Sequence, residues 1–273
     1  MRTKKSSIGL YIVASILSLV FLIPVLYIVL NAFKPTSELY SGTLTFFPRH
    51  WTLENYVGAW NKGQFPRYIL NTVFVATTST FITVLINAMS GYALAKYKFK
   101  GSSVIFIIIL STIMLPLEVI MVPIFSVLKE TGLYNSIWAL IIPCAATPTG
   151  IFIMRQYLLT IPNELIESAR IDGTGEFRIF AQIILPNTKP ALATLAVFSF
   201  MWRWNDYIWP LIAISDVDLY TMQLAISNFA GEYSVDWNSM LAMSAISMIP
   251  VLIIFLIFQK QFVKGTVTSG LKG

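Results

Sequence analysis

The sequence predicts an all-α polytopic membrane protein, one transmembrane domain over residues 1–273 with six spans. Two observations carry that prediction. Hydrophobic residues make up 56% of the chain and charged residues 12%, against about 45–50% and about 25% in soluble domains. The apolar residues also gather into runs near the ~20 residues that a helix needs to cross the hydrocarbon core. One cysteine, Cys144, and one histidine, His50, exclude an internal disulfide and a His/Cys metal cluster. The formal net charge of +6 does not point to nucleic acid, because the basic residues are spread through short loops between apolar runs, which is how membrane topology is encoded.

The first span covers residues 8–30, behind Arg2, Lys4 and Lys5. Its apolar run exceeds the ~7–15 residues of a signal-peptide core, and no small-residue cleavage site follows Pro24 or Asn31, so it is expected to be retained as a signal anchor. Residues 31–66, with Pro35, Gly42, Pro48, Trp51 and Trp60, turn polar and aromatic and read as an extramembrane loop. The second span, 68–95, is rich in small and hydroxyl residues such as Thr72, Ser79, Thr83 and Gly91, which let helices approach closely in lipid. Lys96, Lys98 and Lys100 follow in a turn without acids. The third span, 103–127, is broken by Pro116 and Pro123, with Glu118 between them, and the fourth, 137–155, contains Pro143 and Pro148. The fifth, 191–214, contains Trp202, Arg203, Trp204, Asn205 and Asp206; the sixth, 240–258, leads into a basic tail. With the amino terminus in the cytoplasm, thirteen Lys and Arg residues fall inside and five outside, so the positive-inside rule puts both termini in the cytoplasm.

The connection between spans four and five, residues 156–190, is too polar to span yet carries a helical pattern. Thr160, ahead of Ile161 and Pro162, is an acceptable helix start. Glu164 and Glu167 in the early turns and Arg170 in the last complement the helix dipole, and Gly173 can take the left-handed position that closes a helix. Thr174 is expected to cap a second helix, in which Phe177, Phe180, Ile183 and Ile184 recur at helical spacing until Pro186 stops it. A helical projection with one apolar face fits a groove on another protein, or alternatively the membrane surface.

The run Glu167-Ser168-Ala169-Arg170-Ile171-Asp172-Gly173, then nine residues to Ile183-Ile184-Leu185-Pro186, closely resembles the EAA loop of binding-protein-dependent ABC importer permeases. Ser168 stands where that motif has its first alanine, a small-for-small change. Asn71-Thr72, the stretch from Gly91 to Ala95, Arg155-Gln156, Trp204-Asn205-Asp206, and the tail from Phe262 to Gly265 and from Leu271 to Gly273 resemble the carbohydrate, maltose-type branch. The resemblance implies the type I permease fold and a non-catalytic subunit in the bacterial cytoplasmic (inner) membrane. It would form half of a pore for a sugar or oligosaccharide, with a phosphorylated polyol such as glycerol phosphate as the alternative solute. Implied partners are a second permease subunit, two ATPase subunits holding ATP and Mg, and an extracytoplasmic solute-binding protein. Glu167, Ser168, Ala169, Arg170, Asp172 and Gly173 would form the coupling helix and its turn, and Ile183, Leu185 and Pro186 the anchor into span five. The chain has no G-x-x-x-x-G-K-[ST] phosphate loop, so no cofactor is expected in it. A secondary transporter would show two halves with matching broken helices, and the sequence shows no such repeat.

Polar residues at membrane depth are costly, which makes Asn87, Glu118, Trp204, Asn205 and Asp206 candidates for the solute path, Trp204 by ring stacking. Bland readings stand beside these. Arg203 and Asp206 are three apart and can pair with each other, and the aromatic residues around them can form an interfacial belt.

Overall fold

The computed structural model describes residues 4–43, 45–231 and 234–270, with side chains described from residue 9 to residue 259. Arg2, Glu232 and the closing Leu271-Lys272-Gly273 lie outside the described residues. The described chain is helical apart from its turns and one isolated antiparallel bridge, Ala230 to Val235. That follows from the solvent, since lipid supplies no hydrogen bonds and a helix satisfies its backbone internally.

Three helices are long and apolar enough to cross a bilayer alone: Gly9–Asn31, Phe65–Lys96 and Trp237–Gln259. Three bent pairs qualify when each pair is taken together. Ser102–Met114 and Leu117–Glu130 meet at 107°, Ile137–Cys144 and Pro148–Leu158 at 41°, and Glu176–Asn187 and Lys189–Trp204 at 81°. By length and composition the crossings number three, or up to six if each bent pair is one span. Proline marks each bend. Pro116 is the extended residue ahead of Leu117, Pro148 opens its helix behind the Thr147 cap, and Pro190 lies in the first turn of Lys189–Trp204. Pro123 lies inside Leu117–Glu130 without ending it. The stretch expected as span five holds two helices, Lys189–Trp204 and Ile208–Ala213, interrupted at 205–207.

The described residues gather into two compact units, one within Met1–Pro66 and Ala225–Pro250, the other within Arg67–Leu224 and Val251–Gly273. In the first, the buried Asn55 amide donates to the carbonyls of Ala32 (2.8 Å) and Lys34 (2.7 Å) and accepts from Asn238 (2.9 Å). In the second, one apolar cluster joins Val75, Met121, Leu140, Trp209 and Ile214. Another joins Ala88 and Tyr92 to Met154 and Leu158 and to the loop residues Ile166, Ala169, Ile179, Phe180 and Ile184.

The loop differs from the sequence expectation at three boundaries. Its first helix is Glu164–Ile171, behind Asn163 and not Thr160, because the Thr160 hydroxyl is spent on the Tyr157 carbonyl (2.7 Å). Its second begins behind Gly175 and not Thr174, because the Thr174 amide closes the first helix. Pro186 does not end it. The chain passes through a wide turn, Phe180–Ile184, into Leu185–Asn187, where Pro186 occupies a first-turn position that needs no N–H, and the direction changes at Thr188.

Candidate coupling site and solute path

Within the second unit, the helix Glu164–Ile171 packs by one face. Ile166 and Ala169 are buried in the cluster with Tyr92, Met154 and Leu158, while Glu167, Ser168 and Arg170 point away from it. Its end is a Schellman turn: the Gly173 amide donates to Arg170 (3.0 Å) and the Thr174 amide to Ala169 (3.0 Å). Asp172 is the C-cap, and Gly173 has φ +75°, the left-handed value that glycine adopts without penalty. Around this turn the chain leaves large apolar side chains uncovered, with Ile171 87% and Phe177 78% exposed. Exposed large apolar side chains of this kind are what a docking element presents to a partner. Ile183 and Leu185 pack against the same cluster from the far side of the loop, and Pro186 is exposed.

Lys96, Tyr97 and Glu176, which the sequence reading did not link to this helix, brace it. Arg170 meets Glu176 by two bonds, Nε to Oε1 at 2.6 Å and a terminal nitrogen to Oε2 at 3.2 Å. The Tyr97 hydroxyl donates to the same carboxylate at 2.5 Å, and the Arg170 guanidinium lies 5.8 Å from the Tyr97 ring centre. The hydrogen bonds from Arg170 and Tyr97 hold the Glu176 carboxyl below its usual range, and burial with the Glu176 contact pushes the Tyr97 hydroxyl up. At the other end of the helix Lys96 donates to the Ile161 carbonyl (2.5 Å) and to Asn163 Oδ1 (2.8 Å). No spacing rule links residues 96–97 to 163–176, so only the fold could reveal them.

The solute-path candidates separate. Asn87 is wholly buried and committed to the chain, its amide donating to Thr147 Oγ1 (2.9 Å) and accepting from the Thr147 amide (3.1 Å). Trp204 is 1% exposed, so its ring is packed inside this subunit and offers no face for stacking on a sugar, a correction to the expectation above. Arg203 and Asp206 form an ion pair at 3.2 Å with side chains 14% and 15% exposed, and Asp206 also accepts from the Trp209 amide (3.3 Å). Asn205 bonds back to the Met201 carbonyl (2.8 Å) but stays exposed, and Glu118 is exposed in the first turn after the 107° bend.

Residues 87–267 match the model of the binding-protein-dependent transport system inner membrane component. The chain belongs to that family. This permease is 34% identical to the arabinooligosaccharides transport system permease protein AraQ of Bacillus subtilis, over 97% of this chain and 96% of that one. It is 34% identical to the sn-glycerol-3-phosphate transport system permease protein UgpE of Escherichia coli, covering 92% of each. Among solved structures it resembles a chain of a bacterial ABC transporter involved in the import of the acidic polysaccharide alginate, with TM-score 0.84, 23% identity and coverage of 95% of this chain and 98% of that one. That likeness shows the type I permease fold. The protein is thus a membrane-embedded permease subunit of an ABC importer, a multi-pass component of the inner membrane.

The permease also has a cleft of about 760 Å³ in its first unit, lined among others by Tyr40, Asn55, Lys62, Asp236, Trp237 and Asn238. Two of its charged groups serve each other: Lys62 pairs with Asp236 at 2.6 Å, and Asp236 accepts from the Ser239 hydroxyl at 2.7 Å.

Proposed function

We propose that this permease admits a sugar or oligosaccharide handed over by an extracytoplasmic binding protein, and that Glu164–Ile171 with its Gly173 turn docks on a partner ATPase subunit. The likeness to an arabinooligosaccharide permease along nearly the whole chain carries the solute class. The docking reading draws on the exposed Ile171 and Phe177 at a turn held in one geometry. In this reading the chain is non-catalytic, and two ATPase subunits hold ATP and Mg. Glu167, Ser168, Arg170 and Asp172 face the ATPase surface, while Ala169, Ile183, Leu185 and Pro186 fix the loop to the membrane helices. A second permease subunit completes the pore, both termini lie in the cytoplasm, and Glu118 and Asn205 remain as path residues of this subunit. ATP-driven closure of the ATPase pair then moves the loop as a rigid body and switches the pore between its two openings.

The test is purification with the partner subunits, reconstitution in proteoliposomes, and ATPase measurement with the binding protein and a panel of pentose and hexose oligosaccharides. Stimulation by an oligosaccharide is expected. Stimulation by sn-glycerol 3-phosphate alone would replace the sugar with a phosphorylated polyol, the solute class named for the similar UgpE.

A further inference from the structure

Lys96 and Tyr97 are neighbours at the end of the Phe65–Lys96 helix, and they hold opposite ends of the coupling helix. Lys96 Nζ binds its entry, through the Ile161 carbonyl and Asn163 Oδ1. Tyr97 binds its exit, through the Glu176 carboxylate that also holds Arg170. Between the two grips Ala88 and Tyr92 of the long helix share an apolar cluster with Ile166 and Ala169 of the short one. Eight helical residues span about 12 Å. Two attachments that far apart, with an apolar seam between them, prevent the short helix from swivelling against the long one, which a single attachment would allow.

The other end of the long helix is fastened as well. Asn71 donates to the carbonyls of Asp218 (2.9 Å) and Tyr220 (3.0 Å), the Thr72 hydroxyl accepts from the Met222 amide (2.7 Å), and Arg67 pairs with Asp218 at 2.7 Å. From Thr72 to Lys96 the helix is about 36 Å long at 1.5 Å per residue. We infer that Lys96 and Tyr97 are positioning residues that clamp both ends of the coupling helix to the Phe65–Lys96 helix. Movement imposed on the loop then passes along that helix to the 218–222 segment, and not only through the chain on either side of the loop. The inference rests on the docking reading of the preceding subsection.

Exposed ion pairs contribute little stability, and the Arg170 and Glu176 side chains are 42% and 47% exposed. The clamp therefore acts through geometry, and its loss should appear in coupling before it appears in folding. The test uses the whole complex with its ATPase subunits. Cys144 is changed to Ser and Val217 to Cys, which leaves this chain one reporter thiol, on an exposed residue beside the 218–222 segment, in a complex whose other subunits carry no accessible cysteine. That thiol carries an environment-sensitive fluorophore, and the trigger is Mg-ATP with vanadate. Trapping should shift the emission of the otherwise unaltered protein. In Lys96→Met/Tyr97→Phe the shift should fall by about tenfold, the scale of losing hydrogen bonds to charged groups, with the ATPase subunits still copurifying. Lys96→Arg, which keeps a cationic donor, should restore it when combined with native Tyr97. Should the double variant fail to reach the membrane, Tyr97→Phe alone removes one hydroxyl at constant shape and should still cut the shift by about threefold.

A full shift in the clamp variants, or no shift in the parent protein, would overturn the inference. So would loss of copurification in Tyr97→Phe, which would make the residue part of docking itself. The docking reading is tested separately by Ile171→Asp, which should abolish copurification; retention of the ATPase subunits there would sink that reading, whatever the reporter shows.

Discussion

Replacing Gly173 by valine isolates the turn that closes the proposed coupling helix. A Cβ built on Gly173 meets no heavy atom within 4 Å, so the whole penalty is backbone strain at φ +75°. An L-residue in the left-handed region costs about 1–2 kcal/mol, and a β-branched one reaches the upper part of the 1–3 kcal/mol range. The chain can instead unwind the turn, which forfeits the Gly173 to Arg170 and Thr174 to Ala169 hydrogen bonds, about 0.5–1.5 kcal/mol each. The two costs are of equal size, so strain and unwinding compete. A penalty of about 2 kcal/mol lowers the population of the native turn roughly thirtyfold relative to its alternatives. The apolar spans do not depend on this turn. Gly173→Val should therefore reach the membrane at normal levels and keep its sister permease, yet lose most ATPase copurification or most binding-protein stimulation of ATPase activity. Gly173→Ala should lose less, and Gly173→Asn least, because Asn tolerates this conformation. Wild-type coupling by Gly173→Val would refute the reasoning. So would disappearance from the membrane with no selective effect on ATPase binding, because the loop would then serve folding.

Four further outcomes are expected. Neutralising Arg203 and Asp206 together should reduce assembly or transport less than neutralising either alone, since a single change strands a largely buried charge at a cost of about 3 kcal/mol in a pair now 3.2 Å apart; additive losses would refute the pairing. Gly91→Ala should lower the thermal stability of the purified permease by about 1–3 kcal/mol, because the new Cβ would lie 2.7 Å from Met154 Cβ and 2.9 Å from the Arg155 amide nitrogen. The Glu176 carboxyl is held low by Arg170 and then Tyr97, so its contribution is present above the unfolded carboxyl value and lost as pH falls through the folded one; amide-exchange protection at Gly173 and Thr174 should stay level above about pH 5 and drop below about pH 4. In a Cys144→Ser background, cysteines at Ser41 and Asn228 should react with an impermeant reagent added outside intact cells and one at Lys98 should not, and labelling at Lys98 would overturn the proposed orientation.

The sequence was informative where one residue's backbone chemistry dictates the geometry. Gly173 closing the loop helix was legible because a helix with charges in dipole order, ending in Asp-Gly, has few other ways to stop. The prolines at 116 and 148 marked two of the three bends for the same reason, although nothing in composition distinguishes a 41° turn from one of 107°. Helix starts were less legible. Thr160 and Thr174 are good caps by residue type, but the hydroxyl of one and the amide of the other were already taken by neighbours four or fewer positions away or by the preceding helix end. The clamp was invisible, since Lys96 and Tyr97 lie 65 or more residues from their partners in the loop and each reads as an ordinary surface residue.

Polar residues in an apolar helix have two uses, and the structure divides the candidates between them. Asn87 and Thr147 satisfy each other at a crossing where Gly150 leaves room: a Cβ there would lie 2.2 Å from Asn87 Nδ2 and 2.6 Å from Thr147 Oγ1. That is the chemistry by which membrane helices hold together when apolar burial gives them no preference over lipid. Arg203 and Asp206 likewise answer each other, across the break between Lys189–Trp204 and Ile208–Ala213. Glu118 and Asn205 each stand at the end of a helix, where the chain bends or breaks, and both side chains remain exposed. A charged carboxylate left uncovered at membrane depth is tolerable only against water or a polar neighbour. We propose those two positions, more than the buried Trp204 or the committed Asn87, as the places where solute selectivity in this subunit should be sought.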